Sequence, residues 1–159
     1  MDPKREMLRH TLATLAYRGG KAIRGASAEF AFFKSSETSP APVQILAHMG
    51  DLLVWSLGLS RGQPAWHNAT PLPWEQEIER FFDSLQRLDA YLGSNAPLES
   101  PIEQIFQGPI ADAFTHVGQL AMLRRMAGEP TRGENYFVAD IALGRVGQDQ
   151  ADPIRPFSK

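Results

Sequence analysis

Four stretches of the chain carry apolar residues that step by alternating threes and fours, and this rhythm restricts the fold more than any other feature. The first runs Leu8, Leu12, Leu15, Gly19, Ala22 and Ala26, and the second Ile45, Met49, Leu52, Ser56 and Leu59. The third is the cleanest, with Trp74, Ile78, Phe81, Leu85, Leu88 and Leu92, and the fourth is Ile110, Phe114, Val117 and Ala121. Each pattern lays one apolar stripe along a helix, and such a stripe is buried only against partner helices. No run alternates with period two, so no sheet is expected. The spacing predicts an all-α fold, an up-and-down-like four-helix bundle forming a single domain over residues 1–159.

Breaks between the stripes carry loop chemistry. Residues 35–42 (SSETSPAP) and 62–73, with three prolines, cannot continue a helix. Pro73 and Pro109 suit the first position of the third and fourth helices, where a missing N–H costs nothing. Gly93 to Pro97 ends the third helix, and Gly128 with Pro130 ends the fourth. A short helical turn fits Pro101 to Phe106. The tail after Gly133 is expected to pack through Tyr136, Phe137, Ile141 and Leu143, with one short helix.

Composition narrows the functional classes. There is no cysteine, which excludes disulfides, thiolate metal sites and cysteine nucleophiles. The formal charge is −2, with no basic cluster of the kind that a nucleic-acid partner requires. Residues 1–30 are basic and residues 73–99 acidic, read as two solvated faces that attract weakly. The stretch Ile45–Leu59, interrupted by His48 and Asp51, falls short of the ~20 residues that cross a bilayer. Met1 to His10 lacks the apolar run of a signal peptide. A soluble cytoplasmic protein with no membrane partner is expected. Arg18-Gly19-Gly20-Lys21 lies within a helical pattern without a preceding strand, so it is no nucleotide loop. No serine has a nucleophile-elbow context.

The histidines are the next place to look, because imidazole is the commonest metal ligand and a proton carrier near neutral pH. His10, among charged neighbours, and His67, in a proline-rich loop, read as exposed. His48 and His116 interrupt apolar helices, about 60–80° and about 90° from the centres of their apolar faces. Asp112 precedes His116 by four residues and shares its helical face. Two imidazoles and one carboxylate can ligate one cation and leave coordination positions open, as a reactive site requires. The alternatives are an acid favoured at a helix start and a core histidine bonded to a carbonyl.

The segment Ile45 to Leu57 (ILAHMGDLLVWSL), followed about 60 residues later by DAFTHVGQL, resembles the DinB-like (damage-inducible) superfamily, which includes metal-dependent hydrolases and thiol-dependent transferases. The family pattern is a histidine in the second helix, then H-x-x-x-H leading into an R-G-Q-like stretch in the fourth. His48 matches the first histidine, His116 the last, and Val117-Gly118-Gln119 the stretch after it. One departure is that Asp112 stands where the family usually has histidine. The resemblance implies a DinB-type bundle, a metal site at His48, Asp112 and His116, and a homodimer. Zinc or nickel comes first on that ground, while the carboxylate hardens the set toward iron or manganese.

Around these residues, Trp55 and Gln119 could wall a pocket. Gly118 costs a helix roughly 0.5–1 kcal/mol, which close helix packing would offset. Arg124 and Arg125 complement the dipole of their own helix, or bind an anion. A second row on the fourth helix, His116, Leu120, Leu123 and Ala127, needs cover from the tail or a second subunit. Three functions compete: a metal-dependent hydrolase or thiol transferase acting on a small molecule, a metal-free bundle binding a small apolar ligand, and a dimeric interaction protein. The substrate has no signature in the sequence.

Overall fold

The computed structural model describes residues 2–158. The chain is all-helical, and no strand occurs among the described residues. Four long helices carry the fold: α1 (Pro3–Ile23), α2 (Pro42–Ser60), α3 (Trp74–Gly93) and α5 (Ala111–Met126), with a single-turn α4 (Ile102–Ile105) before the last. Helix α1 packs on α3 and α5, and α2 packs on the same two, which closes a ring.

The stripes read from the sequence reach the centre of that ring, joined on α2 by Leu46 and Leu53, which lie outside its stripe, while Leu59 is only half-buried. Leu12, Leu15, Leu46, Met49, Leu53, Phe81, Leu85 and Leu88 are fully buried. Close approach of α1 to α3 needs Gly19 and Gly20, since a Cβ at these positions would stand 3.0 and 3.3 Å from the rings of Phe81 and Phe82. Starts and stops are locally encoded: Asp2 accepts from the Lys4 amide at 3.1 Å, and Pro3 and Pro42 open their helices. Helix α1 ends at Ile23, earlier than its stripe suggests, and Gly25 turns the chain with φ +68°. Pro73 is the N-cap of α3, one position before the expected one.

The fourth helix differs from the sequence reading in two respects. Pro109 does not start it: the chain is already helical from Ile102 and passes Pro109 through one wide π turn, Phe106–Ile110. Proline lacks the N–H for the i→i−4 ladder, and a wide turn takes up the missing bond without ending the helix. The buried stripe is also rotated, lying on Ala113, Val117, Leu120 and Leu123, with Phe114 and Ala121 only half-buried. The apolar arc of α5 is too wide for periodicity to choose its centre. Leu120 and Leu123 therefore find cover within the chain, which removes the argument that they need a second subunit.

The face charges are joined more tightly than two solvated surfaces would be. Arg9 of α1 makes a two-pronged pair with Asp89 of α3, both contacts at 2.9 Å and partly buried. Helix α2 is longer than the apolar run within it: at 19 residues and mean hydropathy 1.2 it has the length and composition of a bilayer-crossing segment, yet 61% of it is buried inside the fold.

The tail forms one 3₁₀ turn, Tyr136–Val138. Tyr136 meets Tyr17 edge-on at 6.2 Å and Ile141 packs on the core. Phe137 (96% exposed) and Leu143 (49%) do not pack, and the anchors are instead Val146 and the buried Glu134. The Glu134 carboxylate accepts from the Tyr17 hydroxyl at 2.8 Å and from Lys21 Nζ at 2.6 Å, which holds the segment as no apolar contact does.

Candidate functional site

Helices α2 and α5 run side by side, and their shared seam carries the polar residues singled out above. His48 projects from α2 with its side chain about one-third exposed. From α5, Asp112 and His116 project one turn apart on the same face. Asp112 Oδ2 lies 3.3 Å from His48 Nε2 and 3.4 Å from His116 Nε2, so one carboxylate oxygen stands between two imidazoles. The candidate ligand atoms of all three residues fall within 4.8 Å of one another. His10 and His67 are exposed and are not among the three clustered ligand candidates.

His116 is held from behind. His116 Nδ1 is 2.7 Å from Gln119 Oε1. As a donor there, Nδ1 carries the proton and leaves the Nε2 lone pair aimed at Asp112. Thr115 donates to the Asp112 carbonyl at 2.7 Å. Helical turns precede Asp112, so it does not sit at a free helix end, and the dipole alone does not account for it. The two imidazoles meet edge-on at 4.8 Å between ring centres.

Trp66 is the part of this site that sequence reasoning missed. It lies in the 61–73 connection, and its ring meets His48 edge-on at 5.6 Å and Trp55 at 5.7 Å. Trp55 therefore backs Trp66, and it is Trp66 that touches a candidate ligand. A buried ionic network fixes the loop. Arg80 of α3 donates to Asp51 (3.1 Å), to Glu77 (3.0 Å) and to the Ala47 carbonyl (2.6 Å). The same two acids accept from the loop amides of Ala69 and Leu72, at 3.2 and 2.9 Å. Every hydrogen-bonding oxygen of Asp51 and Glu77 thus ties α2, α3 and the loop together. The signal in the sequence was Asp51 interrupting the most apolar helix, since a buried acid requires a partner.

A groove of about 510 Å³ opens beside the group, bounded by Ile45, Thr115, Gln119, Met122 and Met126. Gln119 therefore both orients His116 and lines open space, whereas Trp55 does not line this groove. Two further expectations are corrected here. A Cβ at Gly118 would meet nothing within 4 Å, so no helix packs closely on it. Arg124 serves a neighbouring helix: it donates to the carbonyls of Ala22 (3.3 Å) and Arg24 (2.7 Å) at the end of α1. Its burial pushes its pKa down, and its contacts are structural.

No family model matches the chain, and no similar protein is found among curated proteins or solved structures.

Proposed function

We propose that this protein is a metal-dependent enzyme of the DinB-like type, a four-helix bundle that holds one divalent cation between α2 and α5. The supporting observation is the placement of Asp112 Oδ2 at 3.3 and 3.4 Å from the two Nε2 atoms. Donors around a tetrahedral ion at about 2.0–2.1 Å stand about 3.3–3.4 Å apart, which these two separations match, and all three donors lie within 4.8 Å of one another. Imidazole nitrogen and carboxylate oxygen fit zinc, nickel, iron or manganese, and zinc or nickel is the first expectation from the family resemblance.

A divalent ion at this position supplies Lewis acidity, making a water or thiol nucleophilic near neutral pH. The chain's own residues do the rest. Gln119 keeps His116 in its ligating orientation. Trp66 shields the His48 side from water. The groove beside Gln119 admits a small molecule to the open coordination positions. Hydrolysis or thiol transfer on a small electrophile is the proposed reaction class. A homodimer is proposed with it, with the exposed Met122 and Met126 of α5 as candidate apolar contacts.

Elemental analysis of untagged protein tests the reading. Near-stoichiometric zinc or nickel is expected in the wild type and is lost in His48→Ala, Asp112→Ala and His116→Ala. Protein that takes up none of the four candidate cations on incubation overturns the enzyme proposal and leaves a metal-free binding or interaction protein. Metal that survives Asp112→Ala but not His116→Ala reduces the carboxylate to a bystander.

A further inference from the structure

On the opposite side of α5, two hollows of about 300 Å³ each adjoin where α1, α5 and the tail meet, sharing Lys21 and Thr131. Phe114 lines the first and lies two residues, or about 200°, round the helix from both Asp112 and His116, while Gly118 sits on the shoulder between this hollow and the groove beside Gln119. This is a different place from the metal group. The two hollows are bordered by five cationic side chains, Arg18, Lys21, Arg24, Arg124 and Arg132, and by one acid, Glu134. The chain as a whole carries a formal charge of −2, so the positive charge is concentrated here against the overall balance.

The contacts separate the cations that hold the fold from those that do not. Arg124 is engaged by the backbone carbonyls of Ala22, Arg24 and Glu129. Lys21 does both, giving one of its three donors to Glu134 Oε1 at 2.6 Å and leaving the other two facing the hollows. Arg18 and Arg24 pair with no carboxylate among the described residues, and Arg132 donates only to the Phe157 carbonyl. The Arg18 guanidinium carbon lies over the Tyr136 ring, 4.0 Å from its centre. A cation–π contact of this kind localises the guanidinium, and its N–H donors pair with no carboxylate among the described residues.

The surroundings are preorganised. Glu134, fully buried at its side chain, ties the tail to Tyr17 and Lys21. The Asn135 amide donates to the Arg155 carbonyl at 3.0 Å, and the Phe157 amide to the Gly133 carbonyl at 2.9 Å. Thr131, Tyr136 and Lys21 line the first hollow together, with Lys21 Nζ 5.1 Å from the centre of the Tyr136 ring. The floor of the first hollow is Phe114, Val117 and Gly118 of α5. Gly118 weakens its helix with no packing gain, and its effect is to leave that floor flat and open.

We infer that this cleft binds a small organic dianion of the phosphate monoester class, its charged head held by Arg18, Lys21 and Thr131 and its flat apolar body lying on Phe114, Val117 and Gly118. Two cations at one end and an apolar floor at the other match that amphipathic shape. The inference does not depend on a metal at His48, Asp112 and His116.

The test uses chelator-treated full-length protein at low ionic strength, titrated with inorganic phosphate and with phenyl phosphate while ¹H–¹⁵N spectra are followed. Saturable shifts at Thr131, Tyr136 and Val117 are expected, with phenyl phosphate the tighter ligand. Arg18→Gln, at an exposed position, is expected to weaken binding about 10-fold or more, as loss of a charged hydrogen bond does. Ala121→Leu, on the same wall of the first hollow, narrows it and should weaken phenyl phosphate more than inorganic phosphate. His116→Ala should leave both unchanged. Absence of saturable shifts in the millimolar range overturns the proposal, as does equal binding by folded Arg18→Gln protein. Shifts centred on His48 and His116 instead would assign the anion to the other site, and overturn it equally.

Discussion

Asp112 Oδ2 stands 3.3 Å from His48 Nε2, although 64 residues separate them in the chain. The contact crosses the seam between two long helices whose relative rotation is set by buried side chains on either side: Met49 and Leu53 of α2, Leu120 of α5. A core of that density fixes the two helix backbones relative to each other, and so sets which side chains meet across the seam. The carboxylate is itself positioned by its helix, which places His116 one turn further on.

Metal binding should be visible in tryptophan emission. Trp66 is 5.6 Å from His48, within range of quenching by a paramagnetic ion such as nickel. Trp66→Phe is expected to lose most of the quenching while retaining stoichiometric metal by equilibrium dialysis, and His48→Ala to lose both. Gln119→Ala should leave a site of about 10–100-fold lower affinity, because the His116 ring loses the partner that orients it. Unchanged affinity in Gln119→Ala would count against the orientation given to His116.

Arg80 holds Asp51 and Glu77 together, and neither acid reaches water to any extent, at 4% and 0% exposure. Arg80→Met should destabilise the protein by about 3–5 kcal/mol, the usual cost of leaving buried carboxylates without their cation. Urea unfolding measures this. The same variant should shift Trp66 emission to longer wavelength before global unfolding, because the 61–73 loop is anchored through those two acids. A loss under 1 kcal/mol by the same measurement would mean that the network is dispensable.

Tyr17 should resist ionisation. Burial first, then its hydrogen bond to Glu134 and the charge of that carboxylate, push its pKa up from 10.0 to about 12. An unfolded chain loses this proton near 10, so between the two values the folded state binds more protons than the unfolded one. Stability from this group is therefore complete below pH 10 and is lost as pH rises through about 12, amounting to about 2–3 kcal/mol. Ultraviolet titration of wild type against Tyr17→Phe identifies the late-titrating phenol, and a Tyr17 that ionises near pH 10 in folded protein contradicts the buried Glu134 contact.

Gly118→Ala should stabilise the protein. The added Cβ meets nothing within 4 Å, so the helix gains roughly 0.5–1 kcal/mol of propensity with no steric penalty. For a chain of this size the melting temperature should rise by about 1–4 °C. A fall in melting temperature would show that α5 is packed closely there after all.

The sequence by itself determined the four long helices, their connections and the residues of the candidate metal group. Helices and turns are written in short-range terms: a three-four spacing selects a helical face, proline and glycine mark where it starts or stops, and Asp112 and His116 are neighbours through helix geometry alone. Tertiary structure decided what depends on contacts between distant segments. Only the packing of α2 against α5 brought His48 to the other two, because a wide apolar arc on α5 allowed several rotations. Trp66 was indistinguishable from other loop residues until Arg80 drew Asp51, Glu77 and the loop amides into one buried network. Nothing local in the sequence marks Glu134, and it is an anchor only because Tyr17 and Lys21 meet it. Pro109 read as a helix start, yet the buried Ile105 and Ile110 on either side hold the chain helical through it. In each case the deciding energy is the satisfaction or burial of a group by a partner far away in sequence, which local spacing does not encode.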